Sequence, residues 1–384
     1  MSRFLFVTWS GGGNQPPEIG AAQALRERGH GVTFAGYENQ RSRFTELGFE
    51  FQVLAGAQRF YIEDAPDRLA MVVEAVWACR AHLSDLPDLF ASGSYDAAVV
   101  DCMMFGALAA VEAAGRTCAV LVHSAPGLLV PLGGQLEGSL LGPINQVRVA
   151  AGLGAINRLW DAYAGFPTIC ATIPELDPLA GQVPPSFAYI GPVFERVPPS
   201  GWRAPWPAND PRPLVLVSFS TGRAWDQSSR IQRTLEALRE SNVRVLVTAG
   251  MADVAGLALP ENAVMVPQVP HDEILPQAAV TVTHAGHGTV AASLSYGVPL
   301  VCLPNRAADQ PGLAAQVAAL GAGLVLDGDA ATPSDIRSAV QRVLAERQYA
   351  ARAQQLASVI ASAGGSSTAA VALEQVAAKA RPRF

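Results

Sequence analysis

The stretch VTVTHAGHGTV, residues 280–290, determines most of what can be predicted about this chain. It begins with an apolar strand, Val280–Val282, passes through a turn of small residues, and leads into a helix expected to begin near Val290. The first N–H groups of a helix lack partners within it and carry a partial positive charge, so they attract anions. The stretch therefore predicts an anion site suited to phosphate, with His284 as a further donor. The structural alternative is a tight turn whose two histidines are incidental.

Short apolar strands alternate with helices on both sides of this stretch. We predict strands at Phe4–Thr8, Val32–Ala35, Ala97–Val100, Cys118–Val122, Leu214–Phe219, Arg244–Thr248 and Pro299–Leu303. We predict helices at Pro17–Arg28, Asp67–Phe90, Phe105–Ala114, Ser228–Arg239 and Ser367–Lys379. Such alternation is typical of parallel sheets covered on both faces. We therefore expect an α/β fold with two Rossmann-like, doubly wound domains whose strand ends face a cleft.

The length of 384 residues favours two domains, and a proline-rich stretch without periodicity separates the two halves. We predict a first domain at residues 1–195, a linker at 196–213 and a second domain at 214–365. Residues 366–384 are expected to form a helix that packs back on the first domain.

The composition excludes several classes of protein. Half of the residues are hydrophobic, 16% are charged, and the net charge of −6 comes without any basic run, which argues against nucleic-acid and anionic-membrane surfaces. Acidic residues interrupt the longest apolar run, at 97–114, so no membrane span is expected. Five scattered cysteines predict neither a disulfide framework nor a zinc site. We expect a soluble, cytoplasmic protein.

Two further strand ends carry polar residues suited to a ligand. The strand at 214–219 leads into Ser220 and Thr221, and the strand at 299–303 leads into PNRAADQ, which ends in Asp309 and Gln310. A carboxylate beside an amide can accept and donate hydrogen bonds to adjacent hydroxyls, as a sugar ring requires. The structural alternative is that Asp309 simply caps the next helix.

These residues carry a family resemblance. The segments PHDEILP (270–276) and THAGHGTVAASLSYGVPLVCLP (283–304), together with Asp309-Gln310, resemble the donor-binding signature of GT-B glycosyltransferases. The match is to the macrolide and natural-product branch of family 1, which is related to the plant UDP-glycosyltransferases. RGHGVTFAG (28–36) and GAGLVL (321–326) fall in family order, so the resemblance covers nearly the whole chain.

The resemblance implies an inverting, metal-independent transferase without a cofactor. A dTDP- or UDP-sugar would bind the C-terminal domain, a hydrophobic small-molecule acceptor would bind the N-terminal domain, and a homodimer is possible. The donor-binding residues that it implies are Ser220, Thr221, Val269, His271, His284, Gly286, His287, Gly288, Thr289, Asp309 and Gln310.

Three positions depart from the family pattern. Asn14 stands where the family has the histidine that deprotonates the acceptor, and an amide cannot accept that proton. Ala292 stands where the plant enzymes have a ribose-binding glutamate, which favours a dTDP-sugar over a UDP-sugar. Gln268 stands where those enzymes have a tryptophan that stacks on the base.

Two residues are candidates for the missing base. Asp101 ends the strand at 97–100 and matches the acid that orients the catalytic histidine in related enzymes, and His123 follows the strand at 118–122. The structural alternatives are a helix N-cap for Asp101 and a core histidine for His123. A weak or absent base suits an acidic acceptor, so we expect an aromatic or polyketide compound. The alternative function is a catalytically silent homologue that assists another glycosyltransferase. An epimerase on the same fold would need more acidic residues at the cleft than the sequence contains.

Overall fold

The computed structural model describes residues 1–219, 227–250, 252–306 and 308–379. Its strands are β1 Arg3–Val7, β2 Gly31–Gly36, β3 Glu50–Val53, β4 Ala97–Asp101, β5 Cys118–Val122, β6 Thr168–Cys170, β7 Phe187–Tyr189, β8 Leu214–Ser218, β9 Arg244–Thr248, β10 Ala263–Val266, β11 Ala278–Thr283, β12 Leu300–Cys302 and β13 Gly323–Val325. Its helices are α1 Gln15–Glu27, α2 Arg41–Glu46, α3 Ala55–Gln58, α4 Arg68–Val72, α5 His82–Ser92, α6 Phe105–Ala113, α7 Pro126–Leu129, α8 Gln135–Ala150, α9 Ser228–Leu238, α10 His271–Ile274, α11 His287–Ser295, α12 Gln310–Ala319, α13 Pro333–Ala345, α14 Arg347–Ala363 and α15 Ser366–Lys379.

The first compact unit comprises Met1–Thr172, Leu179–Glu195 and Gly364–Phe384. Its described strands form one parallel sheet in the order β3-β2-β1-β4-β5-β6-β7. The central strands are apolar along their whole length because helices cover both faces, as predicted for a doubly wound sheet. Helix α15 packs against α1 in this unit, and Glu374 on α15 binds the guanidinium of Arg28.

The second compact unit comprises Ile173–Pro178 and Arg196–Ala363. Its described strands form a parallel sheet in the order β10-β9-β8-β11-β12-β13. In each sheet the strand order reverses beside the first strand, between β1 and β4 in one and between β8 and β11 in the other. This is the Rossmann-like arrangement predicted from the alternating pattern. The carboxyl ends of parallel strands lie at one edge of each sheet. A ligand-binding site is therefore expected in the loops that follow β4, β5, β8, β11 and β12.

The predicted helix Asp67–Phe90 is wrong as a single element. The chain forms α4, then a π-helical turn at Val73–Trp77, then a break before α5. The apolar residues of this stretch do recur at helical spacing. Tertiary packing still interrupts the helix, because Gly106 of α6 packs against the backbone of Cys79 so closely that a Cβ there would lie 2.5 Å from the Cys79 oxygen.

The proline-rich stretch after β7 has no helix or strand among its described residues, but it is not an independent spacer. Trp202 and Trp206 pack against the apolar cluster of the second unit that contains Leu216 and Leu246. Ser200 donates hydrogen bonds to Glu273. The stretch therefore belongs to the second unit.

One run, Arg347–Lys379, is long and apolar enough to cross a membrane by length and composition. It is two helices, α14 and α15, separated by Gly364 and Gly365, which both have positive φ. Each helix buries apolar side chains in the core of its own unit. Core packing therefore accounts for its composition.

Candidate active site

The turn between β11 and α11 has the form expected of an anion site. Helix α11 begins at His287, earlier than the predicted start near Val290, and Gly286 is its N-cap residue. Gly286 has no side chain, so the N-cap residue makes no side-chain hydrogen bond to the first turn of the helix. A Cβ on Gly288 would meet nothing within 4 Å among the described atoms, so there is room for a ligand above it.

The backbone of this turn brings His284 over Gly286. Ala285 is fully buried with a φ of 64°, a conformation that costs about 1 kcal/mol or more for a residue with a Cβ. A Cβ on Gly286 would lie 2.5 Å from Nε2 of His284. A side chain at position 286 would therefore displace the imidazole from its place over the turn.

His284 is buried and uncharged at neutral pH. Burial, and secondarily the charge of Arg230, lowers the pKa of His284 to about 4. Its Nδ1 atom has no hydrogen-bond partner among the described residues. A neutral imidazole with an unused ring nitrogen can donate a hydrogen bond to a phosphate oxygen, and this is the role implied by the resemblance.

Polar residues that the sequence analysis missed lie behind the Asp309-Gln310 pair. Asn305 donates to Gln310 Oε1 from its backbone (3.2 Å) and its amide (2.9 Å), and Gln227 contacts Asn305 Oδ1 at 3.4 Å. Gln310 is thus held by Asn305, which fixes its orientation. Asp309 makes no side-chain capping bond to α12 among the described residues, which does not support the N-cap alternative.

The remaining donor residues have different surroundings. Val269 is buried in an apolar cluster, so only its backbone is available to line a base. His271 Nε2 lies 3.4 Å from Ser218 Oγ at the end of β8, and burial lowers its pKa. Ser220 and Thr221 lie outside the described residues.

In the first unit, the two candidate bases lie side by side at the ends of neighbouring strands. His123 Nδ1 lies 3.1 Å from Asp101 Oδ2. The Asp101 side chain is 0% exposed, and its Oδ1 atom accepts hydrogen bonds from Trp9 Nε1 (3.2 Å) and Met103 N (2.8 Å). The His123 side chain is 12% exposed. The histidine is therefore the group that a small molecule can reach.

Asn14 is committed to the structure of its own loop. The residue is 1% exposed, its Nδ2 atom donates to Trp9 O (2.9 Å), and its Oδ1 atom accepts from Gly11 N (3.1 Å). The amide therefore braces the turn before α1, and its polar atoms are already paired.

Glu18 is a further residue that the sequence analysis missed. It lies in the first turn of α1, is 1% exposed, and accepts a hydrogen bond from Thr8 Oγ1. Burial and the charge of Asp101 raise the pKa of Glu18 well above its usual range. The available signal was a glutamate on the apolar face of a helix, beside Ile19.

Two tryptophans line the same region. The Trp9 and Trp77 rings are 5.9 Å apart and perpendicular, and Trp9 also donates to Asp101. The π-helical turn at Val73–Trp77 ends at Trp77. Both side chains are only partly buried, which leaves part of each ring accessible.

Ligand-type atoms of Asp101, Cys102 and His123 lie within 4.8 Å of one another. Burial and the charge of Asp101 raise the pKa of the Cys102 thiol, so it retains the proton that a metal-bound thiolate would lose. The contact between His123 and Asp101 is sufficient to explain this cluster, and metal-independence remains a prediction.

Comparison with known proteins supports the same class. A family model described as the C-terminal domain of erythromycin biosynthesis protein CIII-like proteins matches residues 232–376. The uncharacterized UDP-glucosyltransferase YojK of Bacillus subtilis is 25% identical, with 96% of each chain covered. The 4'-demethylrebeccamycin synthase of Lentzea aerocolonigenes is 26% identical, with 92% of this chain and 94% of that protein covered.

The crystal structure of the glycotransferase of kitacinnamycin superposes with a TM-score of 0.81 at 23% identity, covering 98% of this chain and 99% of that one. This likeness supports the GT-B fold predicted from the sequence. The protein is a glycosyltransferase with the GT-B fold, and the sequence matches support its placement in family 1. Enzymes of this class take a nucleotide-sugar donor and a small-molecule acceptor, and the findings do not favour the silent-homologue alternative.

Proposed function

We propose that the protein is an inverting, metal-independent transferase that moves a sugar from a dTDP- or UDP-sugar to an aromatic or polyketide acceptor in secondary metabolism. The observation that carries the proposal is the start of α11, where Gly286 leaves the N-cap position without a side chain beside the neutral, buried His284. Homodimer formation and a cytoplasmic location remain predictions from the sequence.

The second unit supplies the donor site in this proposal. The N–H groups at the start of α11 and the His284 ring bind the diphosphate and stabilise the charge that it gains on leaving. Asp309 and Gln310 bind the sugar hydroxyls, with Gln310 held in place by Asn305. Ala292 is buried and has no carboxylate to bind a ribose 2′-hydroxyl, which favours dTDP over UDP.

The first unit supplies the acceptor step. His123 takes the proton of an acceptor hydroxyl as the acceptor oxygen forms a bond to the anomeric carbon. The bond from that carbon to the diphosphate breaks with its electron pair on the leaving group, and this single displacement inverts the anomeric configuration. Asp101 stabilises the imidazolium that forms. The full burial of Asp101 favours His123 as the group that meets the acceptor.

The tryptophans support an aromatic acceptor. Trp9 and Trp77 present partly accessible rings in perpendicular orientation, and Trp9 is bonded directly to Asp101. Flat aromatic surfaces bind such rings through edge and face contacts of about 1 kcal/mol each. An acidic phenol would also need less help from a base than an aliphatic alcohol.

The test is an assay of purified protein with dTDP- and UDP-sugars against a panel of aromatic, polyketide and aliphatic acceptors. We expect a glycoside only with nucleotide-sugars, activity in the presence of a chelator, and inverted configuration at the anomeric carbon by NMR. The absence of both transfer and donor hydrolysis with every donor would contradict the proposal.

A further inference from the structure

Two buried carboxyl groups, those of Glu18 and Asp101, are in contact in the first unit. Glu18 lies in the first turn of α1, and Asp101 is the last residue of β4. Each residue is 1% exposed, and their side chains are at hydrogen-bond distance. Two carboxylates in such a position would repel each other strongly without solvent to screen them.

The hydrogen bonds of the four carboxyl oxygens of Glu18 and Asp101 indicate where a proton is required. Glu18 Oε2 accepts from Thr8, and Asp101 Oδ1 accepts from Trp9 and Met103. Asp101 Oδ2 lies 3.1 Å from His123 Nδ1, whereas Glu18 Oε1 has no hydrogen-bond partner among the described residues. Buried polar atoms without partners are rare in native proteins, and a proton on Glu18 Oε1 that is donated to the Asp101 carboxylate would satisfy this atom.

The charges around the pair do not offer another solution. Arg43 is the cation that acts on Glu18, but its guanidinium is bonded to Gln15 and to Glu195, and Glu195 offsets much of its charge. On the other side, His123 lies at ion-pair distance from Asp101, and the Cys102 thiol and Tyr163 hydroxyl keep their protons because burial raises their pKa values.

We propose that Glu18 and Asp101 share a single proton, with Glu18 as the protonated partner, and that this proton keeps Asp101 ionised beside His123. The inference deepens the proposed function, because it rests on deprotonation of the acceptor by His123. Glu18 is a positioning residue in this scheme, since it acts through Asp101 and does not meet the substrate.

The shared proton has a definite consequence for the acceptor step. When His123 takes the acceptor proton, the imidazolium faces an Asp101 carboxylate that already accepts a hydrogen bond from Glu18. Asp101 therefore remains a hydrogen-bond acceptor toward the ring, the new proton stays on His123, and the charges remain paired. The glutamate proton itself is not transferred, and the atoms of the reaction balance without it.

Infrared spectroscopy tests the pair without any need for activity. At neutral pH, the protein should show the C=O stretch of a protonated carboxylic acid, which shifts in D2O. Glu18→Gln should remove this band. The control Glu137→Gln makes the same change at a buried carboxyl whose oxygens accept from Gly133 N and Leu159 N, and it should leave the band intact. A wild-type protein without the band, or a Glu18→Gln variant that keeps it, would overturn the inference.

A second variant tests the same inference if Glu18→Gln does not fold. Thr8→Val conserves the shape of Thr8 but removes its hydrogen bond to Glu18, so the acid band should move to higher frequency. An unmoved band would assign the proton to another carboxyl and overturn the inference.

The pH profile of kcat gives a kinetic readout that a purely structural role would not change. Glu18→Gln should lose one ionisation that the wild type shows, with the KM for the donor unchanged. Superimposable profiles would overturn the inference. A wild-type protein that shows the band but transfers no sugar would contradict the proposed function while leaving the carboxyl pair in place.

Discussion

The Nδ1 atom of His123 lies 3.1 Å from Oδ2 of Asp101, at the carboxyl ends of two adjacent parallel strands. Asp101 pairs with Leu121 in the sheet register. His123 follows Leu121 by two residues and therefore lies beside Asp101. The pair provides a histidine held by a buried carboxylate, although Asn14 stands where the sequence resemblance predicts a catalytic histidine.

Replacing either member of this pair should slow catalysis more than binding. We expect His123→Ala and Asp101→Asn each to lower kcat by roughly 10²- to 10⁴-fold, the range for loss of general-base assistance. The KM for the donor should change little, because the proposed donor contacts lie in the other unit. His30→Ala, at a histidine bonded to Glu374 and Ser2, is the matched control. Near-full turnover by both variants would show that neither residue is the base.

Gly286→Ala should weaken donor binding by displacing His284. The new Cβ would lie 2.5 Å from the imidazole, so the ring must move away from the start of α11. Loss of a hydrogen bond to a charged group costs about 1.5–3 kcal/mol, which raises the donor Kd roughly 10- to 100-fold. Calorimetric titration with the nucleoside diphosphate measures this change. An unchanged Kd would remove His284 from the donor site.

Gly288→Ala should weaken donor binding without displacing His284. The described residues leave open space above Gly288, so the unliganded variant should be as stable as the wild type or slightly more stable, because alanine favours the helix. Donor binding should still weaken, since the methyl group occupies space proposed for the diphosphate. Thermal unfolding and titration together separate the two effects. Unaltered donor affinity would place the diphosphate elsewhere.

Trp77→Leu should reduce affinity for aromatic acceptors selectively. Loss of one aromatic contact of about 1 kcal/mol would raise their KM roughly fivefold and leave the donor KM unchanged. Trp202→Leu in the second unit is the control for loss of a tryptophan as such. Equal effects on aromatic and aliphatic acceptors would argue against ring recognition.

The buried His82 should make stability fall in acid. Burial lowers the pKa of His82 to about 3, from about 6.5 in the unfolded chain. Between these values the unfolded state binds the extra proton, so the free energy of unfolding decreases as the pH drops. The contribution from His82 between pH 7 and pH 5 is about 2 kcal/mol.

Urea denaturation of the wild type, His82→Gln and the control His30→Gln at both pH values tests this expectation. His82→Gln should show a shallower loss of stability in acid than the other two proteins. Parallel slopes for all three would mean that His82 is not the titrating group.

Much of the site could be predicted because its chemistry is local. The turn after β11 contains its own signals, namely an apolar strand, small residues, histidines and a helix start within eleven residues. Asp101 and His123 were predicted individually from their positions at strand ends. Their contact follows once β4 and β5 are neighbours in a parallel sheet, which alternating strands and helices already imply.

Other features depended on contacts that local patterns do not encode. Periodicity predicted one helix at Asp67–Phe90, but close packing of Gly106 against Cys79 interrupts it, and the resulting π-helical turn ends at Trp77. In the sequence, Asn14 stands where the resemblance predicts a catalytic histidine. In the structure, its hydrogen bonds stabilise the loop before α1.

The sequence by itself determined the alternation of strands with helices, the division into two units, and the succession of strand, small-residue turn and helix at β11 and α11, because each depends on residues close together in the chain. Only the tertiary structure decided that Glu18 lies against Asp101. These residues are 83 positions apart, and they meet because β1 and β4 are paired in the sheet and α1 follows β1 directly. A glutamate on a buried helix face has no fixed protonation state until its neighbours are known. Burial and the adjacent carboxylate supply that state, and both exist only in the folded chain.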